Sequence, residues 1–373
     1  MRGGAQALVL RRRALIAALA ALPVAACGRK SHSEPQNQAL PPVAPPDRSL
    51  KSFAAFPVGC AVQSQQLNDP DDAILIAQTF SQLTPEWEMK MEYILQDDGR
   101  FRFDGPDAIA AFARARGLSL FGHTLVWYAE NPAAFHPLDG QPQAFASGLR
   151  NYILAVVGRY RGQAVGWDVV NEAVNEDGSG LREHIWSRNL GPIDYMRRAF
   201  DDAREADPDA VLLINDYNLE SRPQKRATFM RLVEQLLKVG APVGGIGSQS
   251  HLNADWAPSA VRDSVRDLAS LGLPIHISEL DISLNRARGG FSSDEDLIGA
   301  QTRLAEATAE AFAQLPQAQR FGFTLWGLKG RESWLRLPKE NSAPPWDQPL
   351  AFDDDGARRG MFDGLAAGFA RTR

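Results

Sequence analysis

The feature that most constrains the fold of this 373-residue chain is a regular alternation of short apolar runs with longer helical patterns. Helical periodicity is clearest at residues 107–116, 195–206, 226–239 and 296–314. Because strands that alternate with helices form parallel β-α units, eight such units predict an α/β fold, a closed (β/α)8 TIM barrel in one domain. A doubly wound sheet is disfavoured, since no glycine-rich turn follows the first predicted strand. The eight predicted strands lie at residues 57–62, 78–84, 118–123, 166–171, 211–215, 245–250, 274–279 and 321–326.

Polar and aromatic residues stand at the end of one predicted strand after another. In a parallel barrel these strand ends meet at one face, and that face carries the active site. A single polar residue at such a position can cap the following helix, but capping does not explain so many converging clusters. The clusters lie at residues 84–90, 123–127, 171–172, 215–218, 249–251 and 279–281 and at Trp326.

The converging residues are carboxylates, amides, imidazoles and indoles. The sequence has no serine nucleophile elbow and no His-Glu-x-x-His pair, and its six histidines lack metal-ligand spacing, so we predict neither a metal site nor a cofactor. Glu172 and Glu279 end strands four and seven, which lie across a barrel from each other. Two facing carboxylates, with amides to bind hydroxyl groups and tryptophans to stack on sugar rings, indicate glycoside hydrolysis.

The block at the end of strand four, residues 167–173 (WDVVNEA), resembles the signature of glycoside hydrolase family 10, the endo-β-1,4-xylanases. The resemblance covers residues 56–370 and implies a single catalytic (β/α)8 barrel that acts on xylan or xylo-oligosaccharides. Its other blocks are residues 122–127 (GHTLVW), 215–218 (NDYN), 245–251 (GIGSQSH), 278–281 (SELD), 326–327 (WG) and 333–334 (SW).

The resemblance implies a retaining double displacement. Glu279 is expected to be the nucleophile that forms a glycosyl-enzyme intermediate, and Glu172 the acid that protonates the leaving oxygen and then activates water. Retaining enzymes hold these two carboxyl groups about 5–5.5 Å apart. We therefore expect Glu172 to be protonated and Glu279 to be ionised in the resting enzyme.

The remaining site residues are assigned by the same resemblance. Asn171 is expected to bind the sugar 2-hydroxyl, and His251 to contact Glu279 with Asp281 as its orienting partner. We assign Trp167, Trp186 and Cys60 to the core instead. The other expected substrate-binding residues are Glu86, Lys90, His123, Trp127, Gln249, Trp326 and Trp334.

Four positions depart from the family pattern. The Asn and the Trp that the family usually carries in the strand-two block are here Trp87 and Met91, a Gln after strand three is Glu130, and a late Asp is Gly330. We expect Trp87 to add a large apolar plane and Glu130 to add a charge near the sugar-binding cleft. The preferred substrate decoration and chain length therefore stay open.

The N-terminal residues have the pattern of an export signal and are not expected to belong to the folded domain. Three arginines precede a short apolar run at residues 14–22, and residues 24–27 (VAAC) resemble a bacterial lipobox. We predict a signal peptide at 1–27 with lipidation at Cys27, a proline-rich tether at 28–52 and the catalytic barrel at 53–373. The protein is then a periplasmic or cell-surface lipoprotein, with a twin-arginine or an ordinary secretory signal; a soluble periplasmic protein cut near Cys27 is the alternative.

Composition restricts the partners. A net charge of −5 argues against nucleic acid, and membrane contact is expected only through the lipid anchor of a monomer. Two cysteines cannot form a disulfide framework. Two alternatives to a xylanase are a β-glycosidase acting on another β-linked glycan or on short oligomers and a non-catalytic sugar-binding protein. The second is disfavoured because both Glu172 and Glu279 are present.

Overall fold

The computed structural model of the protein describes residues 49–284, 289–336 and 346–371. The predicted signal peptide, Cys27 and most of the predicted tether lie outside these residues. The described part of the chain begins with a short helix, Leu50–Phe53, whose Leu50 is fully buried. Lys51 in this helix donates to the carbonyls of Ala77 and Phe80 at 2.7 and 3.1 Å, so the end of the segment predicted as tether packs on the barrel.

Eight parallel strands close into a barrel, which confirms the predicted fold class. Each strand pairs with its neighbours in sequence, and the first pairs with the last, at Val58↔Phe323 for example. A short strand, His251–Asn253, adds to the outer end of the seventh barrel strand. The barrel strands are β1 (Val58–Val62), β2 (Gln82–Pro85), β3 (Ser119–Trp127), β4 (Ala164–Asn171), β5 (Val211–Asp216), β6 (Gly245–Ser248), β7 (Ile275–Ser283) and β8 (Arg320–Leu325).

Helices surround the barrel, and several begin at a proline, which fits the first helical turn because its missing N–H would be unpaired there. No helix of the described residues is long and apolar enough to cross a membrane. The helices are α1 (Leu50–Phe53), α2 (Pro70–Thr79), α3 (Met91–Ile94), α4 (Asp104–Arg116), α5 (Pro142–Arg159), α6 (Ile185–Leu190), α7 (Asp194–Ala206), α8 (Pro223–Lys238), α9 (Pro258–Ala269), α10 (Asp294–Ala313) and α11 (Gly360–Phe369).

The core fills the barrel and the layer between strands and helices. Trp167, Trp186 and Cys60 are fully buried, as the sequence predicts. Trp167 on β4 lies directly over Gly122 on β3, where any Cβ would overlap the indole ring. The glycine therefore leaves room for the indole of Trp167 to lie over the neighbouring strand β3.

The structure changes the bounds of several predicted strands. The predicted strand at 78–84 begins inside α2, because that helix continues to Thr79 and the chain becomes extended only at Phe80. The predicted strand at 245–250 ends at Ser248, since Ser250 has a φ of 60° and turns the chain. Conversely, β3 and β7 extend four residues beyond the predicted 118–123 and 274–279 and carry their polar residues within the strand.

Candidate active site

One cavity of about 620 Å³ opens at the carboxyl ends of the strands. It contains all eleven side chains predicted to be catalytic or substrate-binding, and Asp281 lies directly behind His251. Sequence reasoning missed two of its residues, Gln63 and Tyr217, which follow β1 and β5. The cavity is lined by Gln63, Glu86, Trp87, Lys90, His123, Trp127, Asn171, Glu172, Tyr217, Gln249, His251, Glu279, Trp326 and Trp334.

Glu172 follows β4 and is 9% exposed. Its backbone has a φ of 59°, the left-handed region that non-glycine residues rarely adopt, and its N–H donates to the Asn215 carbonyl at 2.8 Å. The carboxylate accepts hydrogen bonds from Gln249 Nε2 at 2.9 Å and from Asn171 Nδ2 at 3.2 Å. Burial nevertheless raises the pKa of Glu172, which favours its protonated form.

Glu279 lies within β7, and its surroundings favour the opposite charge state. Burial by itself would raise its pKa, but charge interactions with His123, His251 and Lys90 and a hydrogen bond from His251 outweigh burial, so the pKa of Glu279 is lowered. Its Oε1 accepts from Asn215 Nδ2 at 2.8 Å, and its Oε2 lies 3.4 Å from His251 Nε2. The nucleophile predicted from the sequence therefore lies in a site built for a carboxylate anion.

The two carboxylates are joined by a chain of amide side chains. Asn215 Nδ2 donates both to Glu279 and to Asn171 Oδ1, the latter at 2.9 Å, and Asn171 in turn donates to Glu172. Ser278 Oγ donates to Asn215 Oδ1 at 2.7 Å, which fixes the orientation of that amide. Sequence analysis gave Asn215 no role, although it stands at the end of strand five in a matched block.

His251 lies between two carboxylates. Its Nδ1 is 3.0 Å from Asp281 Oδ2, and the same oxygen accepts from Trp334 Nε1 at 2.7 Å. Burial opposes a charge on His251, but Asp281 and Glu279 outweigh it and raise the pKa of the imidazole to about 10. Asp281 thus orients His251 and Trp334 together, which fits its predicted supporting role.

His123, Asp168 and Glu279 offer ligand atoms within 4.8 Å of one another. His123 Nδ1 and Asp168 Oδ2 are hydrogen-bonded to each other at 2.9 Å, and the Glu279 oxygen nearest His123 already accepts from Asn215. The atoms that could bind a metal ion are therefore already paired with other side chains of the site. This hydrogen bonding favours an ionised Glu279 over a bound metal ion.

The sequence model described as glycosyl hydrolase family 10 matches residues 49–367. This chain belongs to that family. Endo-1,4-beta-xylanase B of Paenibacillus barcinonensis is 37% identical over 332 residues, which are 83% of this chain and 94% of the relative. The crystal structure of xylanase XynB from Paenibacillus barcinonensis with a conduramine derivative superposes with a TM-score of 0.78 at 32% identity, covering 86% of this chain and 98% of that one.

Other family members are much longer than this chain. Exoglucanase XynX of Acetivibrio thermocellus is 35% identical over 321 residues, which are 83% of this chain but 28% of the relative. Endo-1,4-beta-xylanase A of Caldicellulosiruptor sp. matches over 46% of its own length. The chain thus spans half or less of the length of several curated members.

Three of the four departures from the family pattern are away from the cavity lining. Glu130 does not line the cavity: it is buried and accepts from the Glu92 N–H at 2.9 Å, and burial raises its pKa to about 7. Met91 is a core residue. Gly330 leaves room for Gln348, since a Cβ there would overlap the Gln348 amide. Trp87, in contrast, does line the cavity.

We expect the stabilising effect of His251 to depend on pH. Its folded-state pKa of about 10 lies above the value of about 6.5 for an unperturbed imidazole, so its ion pairs contribute fully below about pH 6.5 and are lost as the pH rises toward 10. The difference in unfolding free energy between the wild type and His251→Gln should therefore shrink from pH 6.5 to 10 in urea titrations. A constant difference would contradict the assignment of a charged His251.

Proposed function

We propose that the protein is a retaining endo-1,4-β-xylanase. The observation that carries the proposal is the pair of carboxylates in one cleft, with the pKa of Glu172 raised and that of Glu279 lowered. Their charge states match an acid that donates a proton and a nucleophile that attacks. The names of the xylanases that this chain resembles supply the substrate class.

In the first step, a Glu279 oxygen attacks the anomeric carbon and forms a glycosyl ester while the glycosidic C–O bond breaks. Glu172 gives its proton to the departing oxygen, which leaves as a sugar hydroxyl. Asn171 donates to Glu172 and is linked to Glu279 by Asn215, which donates to both. In this position its amide can bind the 2-hydroxyl of the reacting sugar. This contact strengthens as the ring becomes oxocarbenium-like.

In the second step, water enters on the side that the leaving group has vacated. Glu172, now ionised, takes a proton from the water, whose oxygen attacks the anomeric carbon and releases Glu279. Ester formation removes the negative charge of Glu279, which lowers the pKa of Glu172 and suits it to act as a base. Two inversions return the original β configuration.

Substrate comparison tests the xylan assignment. We expect the initial rate of release of reducing ends from linear xylan to exceed the rates from carboxymethyl cellulose and mixed-linkage β-glucan, with early products of intermediate length. Faster cleavage of either glucan would support another β-glycanase, and release of single sugars only would contradict internal cleavage.

We further propose export as a lipoprotein attached at Cys27, active as a monomer. The charged start, the short apolar run and the Val-Ala-Ala-Cys block support lipidation. Cys27→Ser should keep xylanase activity but move the protein from the membrane fraction to the soluble fraction of the producing bacterium. Unchanged fractionation would contradict the lipid anchor.

A further inference from the structure

Trp87 is an exposed tryptophan whose side chain lines the cavity. It is 40% exposed, and among the exposed large apolar residues of the described chain it alone lines the cavity. An exposed indole in a binding cleft is an apolar surface that a ligand can cover. None of the catalytic or supporting roles described above uses this side chain.

The indole is held in place by its neighbours. The Tyr93 ring packs edge-on against it, with centroids 4.8 Å apart and an interplanar angle of 80°. Arg102 lies 3.7 Å from the centroid of the Tyr93 ring and donates from Nε to the Tyr93 carbonyl at 3.2 Å. A turn in which the Lys90 N–H donates to the Trp87 carbonyl at 3.1 Å fixes the backbone. Trp87 is thus a supported platform rather than a free side chain.

Polar groups stand beside this platform. Glu86 accepts from Gln63 Nε2 at 2.9 Å, and Lys90 Nζ lies 4.8 Å from the centroid of the Trp127 ring. The side chains of Glu86 and Lys90 line the cavity and can bind sugar hydroxyls. Lys90 and Glu279 line the same cavity, and Lys90 is one of the groups that lower the pKa of Glu279, so this end of the cavity lies beside the nucleophile. An apolar plane flanked by hydroxyl-binding groups is the arrangement that a sugar ring requires.

We propose that Trp87 is a sugar-stacking residue, backed by Tyr93, which binds the glycone part of the substrate beyond the ring held at Glu279. This inference rests on the proposed function. An indole face recognises the C–H face of a ring rather than one hydroxyl, so this position selects a β-linked chain long enough to reach Trp87. Short substrates that end at the reacting ring do not use it.

Steady-state kinetics of Trp87→Ala test the proposal on two substrates. On xylotetraose we expect KM to rise about three- to tenfold. On an aryl β-xyloside, which places only one sugar on the nucleophile's side, we expect a much smaller change. Trp87→Phe should leave KM on xylotetraose close to the wild-type value because phenylalanine keeps an aromatic face. Phe101→Ala is the matched control, since Phe101 is also 40% exposed but does not line the cavity.

Equal losses on both substrates, or no change in KM on xylotetraose, would overturn the stacking role. A wild-type enzyme that cleaves neither xylan nor xylotetraose would instead overturn the proposed function, so the two failures are distinct. A binding measurement adds a readout that does not depend on turnover: xylotetraose should change the tryptophan fluorescence of Glu279→Gln more than that of Glu279→Gln/Trp87→Phe. Equal changes would contradict contact with Trp87.

Discussion

Glu279→Gln should reduce kcat on xylan by about three orders of magnitude or more, with little loss of xylo-oligosaccharide binding. The amide keeps the shape of the side chain but removes the anion that Asn215 and His251 hold for attack. Activity is measured as release of reducing ends, and binding by calorimetry with xylotetraose. Residual turnover of more than a few per cent, in protein free of wild type, would mean that another group is the nucleophile.

Azide rescue separates the roles of the two carboxylates. In Glu279→Ala, azide can enter the vacated space and displace the aryloxide of an activated aryl β-xyloside directly, forming an α-xylosyl azide. In Glu172→Ala, the ester on Glu279 still forms, and azide then displaces Glu279 to form the β-xylosyl azide. The reverse pair of configurations would exchange the two assignments.

Lys225→Met should lower the free energy of unfolding by about 3 to 5 kcal/mol. Lys225 is fully buried in α8, and its ammonium lies 2.9 Å from Asp216 Oδ1 and 3.4 Å from the centroid of the Tyr217 ring. Asp216 is itself fully buried, so the variant removes the cation that pairs with its buried charge. Urea denaturation followed by circular dichroism measures the effect.

A double-mutant cycle distinguishes loss of the ion pair from loss of packing. Asp216→Asn in the Lys225→Met background removes the unpaired charge, so the double variant should be more stable than the sum of the single effects predicts. Asp216 Oδ2 also accepts from the Val174 N–H at 3.1 Å, two residues after Glu172, so the single variants should impair activity as well. Additive costs would contradict coupling between the buried charges.

The sequence was sufficient for the barrel and for the centre of the site. Strands and helices alternate with clear periodicity, and in a parallel barrel the carboxyl ends of all strands meet at one face, so the sequence predicts that Glu172, Glu279 and His251 lie close together. The strand bounds do not follow from the pattern where one apolar stretch runs through the end of α2 into β2. There the boundary lies at Phe80, where the chain leaves the helical conformation and becomes extended.

The features that sequence analysis missed depend on contacts between distant segments. Asn215 holds Glu279 across 64 residues, and Lys225 is buried because α8 brings it onto Asp216 and Tyr217. Glu130 resembled a cleft residue by its position after strand three, but it bonds to the Glu92 backbone and is buried. The sequence shows which kind of side chain stands at a strand end. Which residue that side chain contacts depends on how distant segments pack in the folded protein.

Proton NMR of a xylan hydrolysis in its first minutes tests the retaining mechanism most directly, because the anomeric signals report the configuration of the new reducing end before mutarotation. Attack by Glu279 followed by water activated by Glu172 predicts that the β anomer appears first and the α anomer grows in only by mutarotation. Initial release of the α anomer would show a single inversion and would contradict the double displacement proposed for these two carboxylates.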